Sequence, residues 1–545
     1  IHVTATSADL PGRLLGEGGA SASAAAFWGP ADGGVDAAAW AHTTPLERLD
    51  NGQLAASLPG LTPGEDYYYR FRAQNSYGHA WAPESGTFTT AAVTVRAADP
   101  RADEIGGDTG TFTISRPANA TRRDLTVQFT IAGTAESGRD FQPIAGSVTI
   151  PAGSASVDVP VIPVDDLSIA EPEESVTLAL APGPYALGDS VQATVTIADH
   201  TDLAAWPHGL EIVFSGYDGE EALDGFPALV VLGPSCPGFD YDQFASATGG
   251  DLRFIDPEGS TFLNYEIEEW NPEGDSRVWV ELPRLARRDT AILACWGNPA
   301  ASEPPAYATN GDTWAARYAG VWHFTEADGP RADSSPAANH AEPEGEPRCD
   351  ASGVIGAALA LDGADDSLVL PGLLPIGNSD ITVSAWVNVP TAGSGGLEPS
   401  ERVGILLGNF RDTPCSNWEI RQGGELRMFW NGGEIDQAGA TDLRDGAWHH
   451  VAWVRDKARG GFALYIDGRE DRFIEGAGTD VSFSTTHRVG GDNRGQSAPR
   501  FHGGVDELRV STVARSGDWL RASWKNQSAY AEFVSYGGVQ PAESR

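Results

Sequence analysis

GRDFQPIAGSVTIPAGSASVDVPVIPVDDLSIAEPEES, residues 138–175, is the stretch whose reading decides the fold. Val157, Val159 and Val161 alternate with polar or small residues, the period-2 signature of a half-buried strand. Val176, Leu178 and Leu180 resume the pattern. Between the two runs stand Asp165, Asp166, Glu171, Glu173 and Glu174. So many carboxylates at one sheet end repel one another. A hard cation with oxygen ligands removes that repulsion, and calcium suits it best.

The rest of the chain reads the same way. It has 545 residues, too many for one core, so several domains are expected. The 65 glycines and 36 prolines fall at strand-and-turn spacing, and no long amphipathic helix or apolar run near 18 residues appears. An all-β chain without a membrane span follows. The net charge is −40, and Lys457 and Lys525 are the only lysines. Such a charge argues against nucleic acid or an anionic membrane as partner. It reads either as a solvated acidic coat or as a set of divalent-cation sites. There is no initiator Met and no leader, so the sequence is read as a mature product or a piece of something longer. Cys236, Cys295, Cys349 and Cys415 show no CxxC spacing, which argues against zinc held by cysteine pairs. Bridges Cys236–Cys295 and Cys349–Cys415 are possible in an exported protein, with buried free thiols as the alternative.

Several resemblances divide the chain. Residues 93–200 resemble a Calx-β domain: the Gly138, Asp140, Phe141 turn, the Pro151–Gly153 turn, the paired aspartates and an E-x-x-E step carry the likeness. One residue is inserted between the aspartates and Glu171. The resemblance implies calcium at one end, with Glu104, Asp140, Asp165, Asp166, Glu171, Glu174 and Asp199 as ligands; the alternative is neutralisation by arginines such as Arg139. Residues 1–92 resemble a fibronectin type III-like sandwich through LTPGEDYYYRFRAQNSYG, 61–78, where Leu61, Pro63 and Gly64 precede Tyr67 at tyrosine-corner spacing. Its first strand is missing or cut short before Ile1. Trp28 and Trp40 read as core or loop anchors rather than a surface patch.

Residues 201–312 resemble an uncharacterised bacterial domain that precedes laminin-G-like domains in secreted proteins. Glu266 and Glu268 alternate with Ile267 there and read as the polar face of a strand, not as a carboxylate pair for glycoside chemistry. Residues 313–540 resemble a laminin-G-like, concanavalin A-like jelly roll through GVWHF (320–324), GAALALDGADDSLVLP (356–371), WHHVAWVRD (448–456) and GGVDELRVS (503–511). His449 and His450 read as structural residues of a strand entry. This resemblance implies a second calcium site at Asp362 and Asp506, or else an Asp362 that only supports its Gly363 turn.

Glucanases of the concanavalin A-like fold carry E-x-D-x-x-E or E-x-D-x-E on one strand face. Here Glu434-Ile435-Asp436 lacks the second glutamate, so no acid/base is present beside them. No other catalytic motif appears, and no enzymatic activity is expected. The expectation is four β-sandwich modules in series, secreted, at a cell surface or facing a periplasm. Its partner would be a glycan, a surface protein or copies of itself. Adhesion, polysaccharide binding for an uptake or proton-motor-linked envelope system, and self-assembly into filaments are the competing roles.

Overall fold

The computed structural model describes the chain except residues 17–18, 49–52, 105–107, 119, 122, 165–172, 199–202, 258–259, 316, 392–403, 411–413, 484–485, 495–499 and 543–545. The molecule is almost entirely β, as expected; the one helix above four residues among those described is Gly517–Ser528. The chain divides into two compact units near residue 202.

The first unit holds two sandwiches. In the first, Ser7–Arg13 pairs with Gln53–Pro59, and Ser23–Gly29 pairs with Asp66–Asn75 in the facing sheet. Leu10, Leu58, Tyr67 and Phe88 fill the space between the sheets. The Tyr67 hydroxyl accepts the backbone N–H of Thr62 at 3.0 Å, so the tyrosine corner is formed. Trp28 and Trp40 are buried anchors rather than a surface patch. The second sandwich sets Ala92–Asp99, Gly110–Ser115 and Ser156–Val161 against Leu125–Gly133, Glu174–Leu180 and Gln192–Ala198. The alternations read from sequence supply its core: Val127, Phe129, Val159, Val161, Val176 and Leu178. The short strand Ala186–Leu187 pairs in parallel with both Val3 and Ala92–Val93, so one eight-stranded sheet runs through both sandwiches.

In the second unit, Leu223–Leu232, Ser276–Leu285 and Tyr265–Glu269 form one small sheet. Arg253–Ile255, Ala291–Trp296, His208–Val213 and the C-terminal Ser535–Tyr536 form the other. The jelly roll follows. One of its sheets includes Ala357–Asp362, His502–Ser511, Ile381–Asn388, Trp448–Asp456 and Gly461–Ile466. The other includes Gly404–Gly408, Ser416–Ile420, Leu426–Trp430 and Ile435–Ala438. Leu407, Trp418, Met428, Trp430, Val451 and Trp453 lie between them.

The expected span 313–540 for the jelly roll needs one change. After residue 516 the chain returns to the preceding β domain. Trp519 packs edge-on to Phe226, and Asn526 bonds both backbone groups of Leu229. Leu520 of the same helix packs on Ala452, Val454 and Tyr465 of the jelly roll. The free edge of Leu223–Leu232 would otherwise expose unpaired backbone groups, which explains the return.

Candidate functional site

Part of the acidic end of residues 93–200 is described. Glu104 donates its backbone N–H to Ala198 O at 3.3 Å, Glu174 pairs with Ile197, and Val164 N donates to Asp140 O at 3.0 Å. Glu104 and Glu174 therefore lie next to the strand end that leads into Asp199, and Asp140 lies beside the chain leading into Asp165. Asp165, Asp166, Glu171 and Asp199 themselves lie outside the described residues. Asp140 is buried; its Oδ2 accepts Glu136 N at 2.5 Å and its Oδ1 lies 3.7 Å from Arg139 Nε. Glu173 pairs with Arg101.

Asp362 and Asp506 are not brought together. Asp362 pairs with His502, so Asp506 stands four residues further along that strand, about 13 Å at strand rise. Asp362 Oδ1 accepts Ala364 N at 2.7 Å, the turn-supporting role. With Asp365 and Asp366 it makes an acidic turn whose oxygens could hold an ion. Asp506 instead accepts Val354 N and Ile355 N at 2.8 and 3.0 Å. The candidate bridges are also corrected. Cys236, Cys295, Cys349 and Cys415 are buried and form no disulfide with one another, and Cys349 accepts Arg331 Nε at 3.0 Å. His449 lies between Asp467 and Asp445, while His450 is buried edge-on to Trp386. Neither joins a metal-ligand group among the described residues.

The second jelly-roll sheet presents a polar and aromatic outer face. Trp418, Ile420, Leu426, Met428 and Trp430 point into the core, so Asn417, Glu419, Arg427 and Phe429 point out. Arg427 donates Nε to Asp436 Oδ1 at 2.7 Å, bonds Glu419 and lies over Phe429 at 5.2 Å. Phe410 packs 5.6 Å from Phe429 and beneath Arg494, which is bonded to buried Asp492. Asn417 Nδ2 reaches Glu419 and Asp492, while its buried Oδ1 has no partner. A Cβ at Gly408 would sit 2.5 Å from that oxygen, so glycine admits the amide there. The hydrogen bond from Arg427 holds the Asp436 carboxyl below its usual range. Bonds from Asn431 and Thr479 do the same for Glu434. A general acid needs a raised pKa, and both carboxyls are held down.

A third constellation escaped the sequence reading. Glu266 and Glu268 do not face solvent. Trp314 Nε1 and Ser334 Oγ donate to Glu266, and Trp279 Nε1 donates to Glu268 at 2.7 Å. Between these carboxylates lies buried His323 from GVWHF, its Nδ1 2.6 Å from Glu507 Oε1. Arg509 bonds Glu507 and lies over Trp279 and Trp314 at 4.2 and 4.7 Å. Burial and then the Glu507 charge push Glu268 up to about 8. Burial disfavours the His323 cation, but Glu507 and Glu268 outweigh it and hold its pKa well above the usual value. Period-2 alternation correctly put the two glutamates on one face of the strand. It could not show that a second domain covers that face.

Three families match in series. The Calx-beta domain matches residues 91–201, a domain of unknown function (DUF2341) matches 248–334, and the concanavalin A-like lectin/glucanases superfamily matches 362–521. No curated protein matches the chain. Among solved structures, domain 4 of AbnA, an extracellular arabinanase from Geobacillus stearothermophilus, is 21% identical, covering 38% of this chain and 98% of its own (TM-score 0.30). The CBM40 module of the Ruminococcus gnavus IT-sialidase is 18% identical over 27% of this chain and 83% of its own (TM-score 0.23). Trypanosoma rangeli sialidase is 9% identical over 89% of this chain and 93% of its own (TM-score 0.31). Among the described residues no helix is long and apolar enough to cross a membrane.

Proposed function

We propose that this chain is a secreted or cell-surface modular protein whose jelly roll binds carbohydrate through the outer face of its second sheet. The observation that carries the reading is the grouping of Phe410 and Phe429 with Arg427, Glu419 and Asp436, braced from beneath by buried Asn417. Half-buried rings offer apolar faces to the C–H side of a sugar. The fixed guanidinium and the carboxylates of Asp436 and Glu419 offer paired donors and acceptors to adjacent hydroxyls. Because these groups already hold one another, little side-chain entropy is lost on binding.

The role proposed is binding without turnover. Glu434 and Asp436 are engaged by Thr479 and Arg427, and neither is poised to give up a proton. The match of residues 362–521 to the concanavalin A-like lectin/glucanases superfamily supports carbohydrate as the ligand class. Calcium at the acidic end of residues 93–200 would stiffen the first unit, with the fibronectin type III-like sandwich as a spacer. Screening the full chain on a glycan array, then titrating the best glycan into wild type and Phe429→Ala, tests the proposal. Micromolar binding lost in Phe429→Ala supports it. Binding that Phe429→Ala leaves intact refutes the placement.

A further inference from the structure

We propose that Glu268, His323 and Glu507 form a site for a first-row divalent transition metal, zinc foremost, that staples the jelly roll to the β domain before it. Their ligand atoms lie within 4.8 Å of one another. Glu268 comes from strand Tyr265–Glu269, whereas His323 and Glu507 come from the jelly roll. A shared ion would therefore add a link between two domains that already meet through side-chain packing and hydrogen bonds.

Four observations favour a metal over a plain ion pair. First, each candidate ligand is gripped from outside: Glu268 by the Trp279 indole, Glu507 by the Arg509 guanidinium. His323 Nε2 faces Glu266 Oε2 at 3.6 Å without a hydrogen bond. A carboxylate behind the non-ligating nitrogen is the usual outer support of a metal-bound imidazole. Second, Glu268 Oε1 has no partner although its side chain is only 1% exposed. A buried carboxyl oxygen without a hydrogen-bond partner is costly, and a cation supplies what is missing.

Third, carboxyl groups outnumber bases, so the cluster has oxygen donors to spare for a cation. Glu266, Glu268 and Glu507 face Arg509 and His323, with Asp506 adjoining. His323, Asp506, Glu507, Arg509 and the Glu268 side chain are buried and Glu266 is partly exposed. Fourth, the backbone is bent to deliver the ligands. Glu507 has φ of 52° and Phe324, after His323, has φ of 63°. Non-glycine residues occupy that left-handed region at a cost, typically where function requires it. The strand also shifts register between Ser384 and Trp386 where it pairs with the segment carrying Glu507.

The donor set chooses the metal class. Imidazole with two carboxylates suits zinc and its first-row neighbours, whereas calcium and magnesium prefer oxygen alone. Aromatic walls from Trp279 and Trp314 exclude bulk water, so exchange would be slow.

The test uses the full chain. After incubation with zinc and removal of free metal, elemental analysis should find about one firmly held zinc per chain. Excess calcium should not displace it, and the cobalt(II) form should show visible ligand-field absorption. Glu268→Gln should abolish retention, while Asp362→Asn in the acidic turn should not. If Glu268→Gln fails to fold by circular dichroism, Trp279→Phe, which removes the indole N–H behind Glu268 along with part of the ring, should still fold and weaken retention at least tenfold. Wild-type protein that retains no zinc and melts identically in zinc and in chelator overturns the proposal. So does retention equal to wild type in folded Glu268→Gln.

Discussion

Asn526→Ala is expected to loosen the return of the C-terminal helix onto the domain it completes. Asn526 is fully buried; its Oδ1 accepts Leu229 N at 2.6 Å and its Nδ2 donates to Leu229 O at 3.0 Å. The amide thus acts as a one-residue strand on the free edge of Leu223–Leu232. Tyr530 continues the cover two residues on, at Val231 N. Alanine would leave both backbone groups of Leu229 buried and unpaired, at about 1–3 kcal/mol each, or roughly 4 kcal/mol together. For a unit of this size each kcal/mol moves the melting temperature by about 2 °C, so a fall of roughly 5–10 °C is expected. Asn526→Asp sets a buried carboxylate against Leu229 O and should fall at least as far as alanine. Differential scanning calorimetry of the full chain reads the second unit's transition. If Asn526→Ala melts within about 1 °C of wild type, water replaces the amide and the edge-sealing argument fails.

Further outcomes are expected elsewhere. Burial pushes His487 down to about 3, and neither ring nitrogen has a partner. The unfolded chain then takes up a proton below about pH 6.5 that the folded chain refuses, so stability present above pH 6.5 falls as pH drops. The loss is of order 2 kcal/mol at pH 5, and urea unfolding of His487→Gln should show a flatter pH dependence than wild type. Arg455 is buried and donates to the carbonyls of Gly377, Ser379, Ala477 and Gly478. Arg455→Met should cost about 3–5 kcal/mol in chemical denaturation. Calcium at about 100 times its dissociation constant should stabilise the chain by about 2.7 kcal/mol over chelator, and Glu104→Gln should shrink that difference. Melts that coincide with and without calcium would count against an ion there. No turnover is expected on a β-glucan panel; hydrolysis lost in Glu434→Gln would contradict the binding role.

Strand alternation was legible because it reports a local fact: residues two apart share a face. Val127, Val159, Val176 and Leu178 went to the core as expected, and Tyr67 closed its corner. What alternation cannot report is what lies over the other face. Glu266 and Glu268 have a solvent-facing pattern, yet Trp314 and His323, some fifty residues later, roof them. The one available signal was tryptophan: Trp279 and Trp314 need buried acceptors for their indole N–H groups. The C-terminal return was illegible for the same reason, since nothing local marks Asn526 as a partner of Leu229. Asp362 and Asp506 were paired through family likeness, and strand register separates them. The outer-face cluster was hidden because Arg427 and Asp436 are nine residues apart and meet only once adjacent strands pair.

Isothermal titration of an array-selected glycan into the full chain, alongside Phe429→Ala and Arg427→Ala, tests the central claim most directly. The account predicts micromolar binding to wild type, weakened at least tenfold, about 1.4 kcal/mol, in each variant, with both variants folded. Equal affinity in wild type and both variants, or an array without any bound glycan, would contradict it.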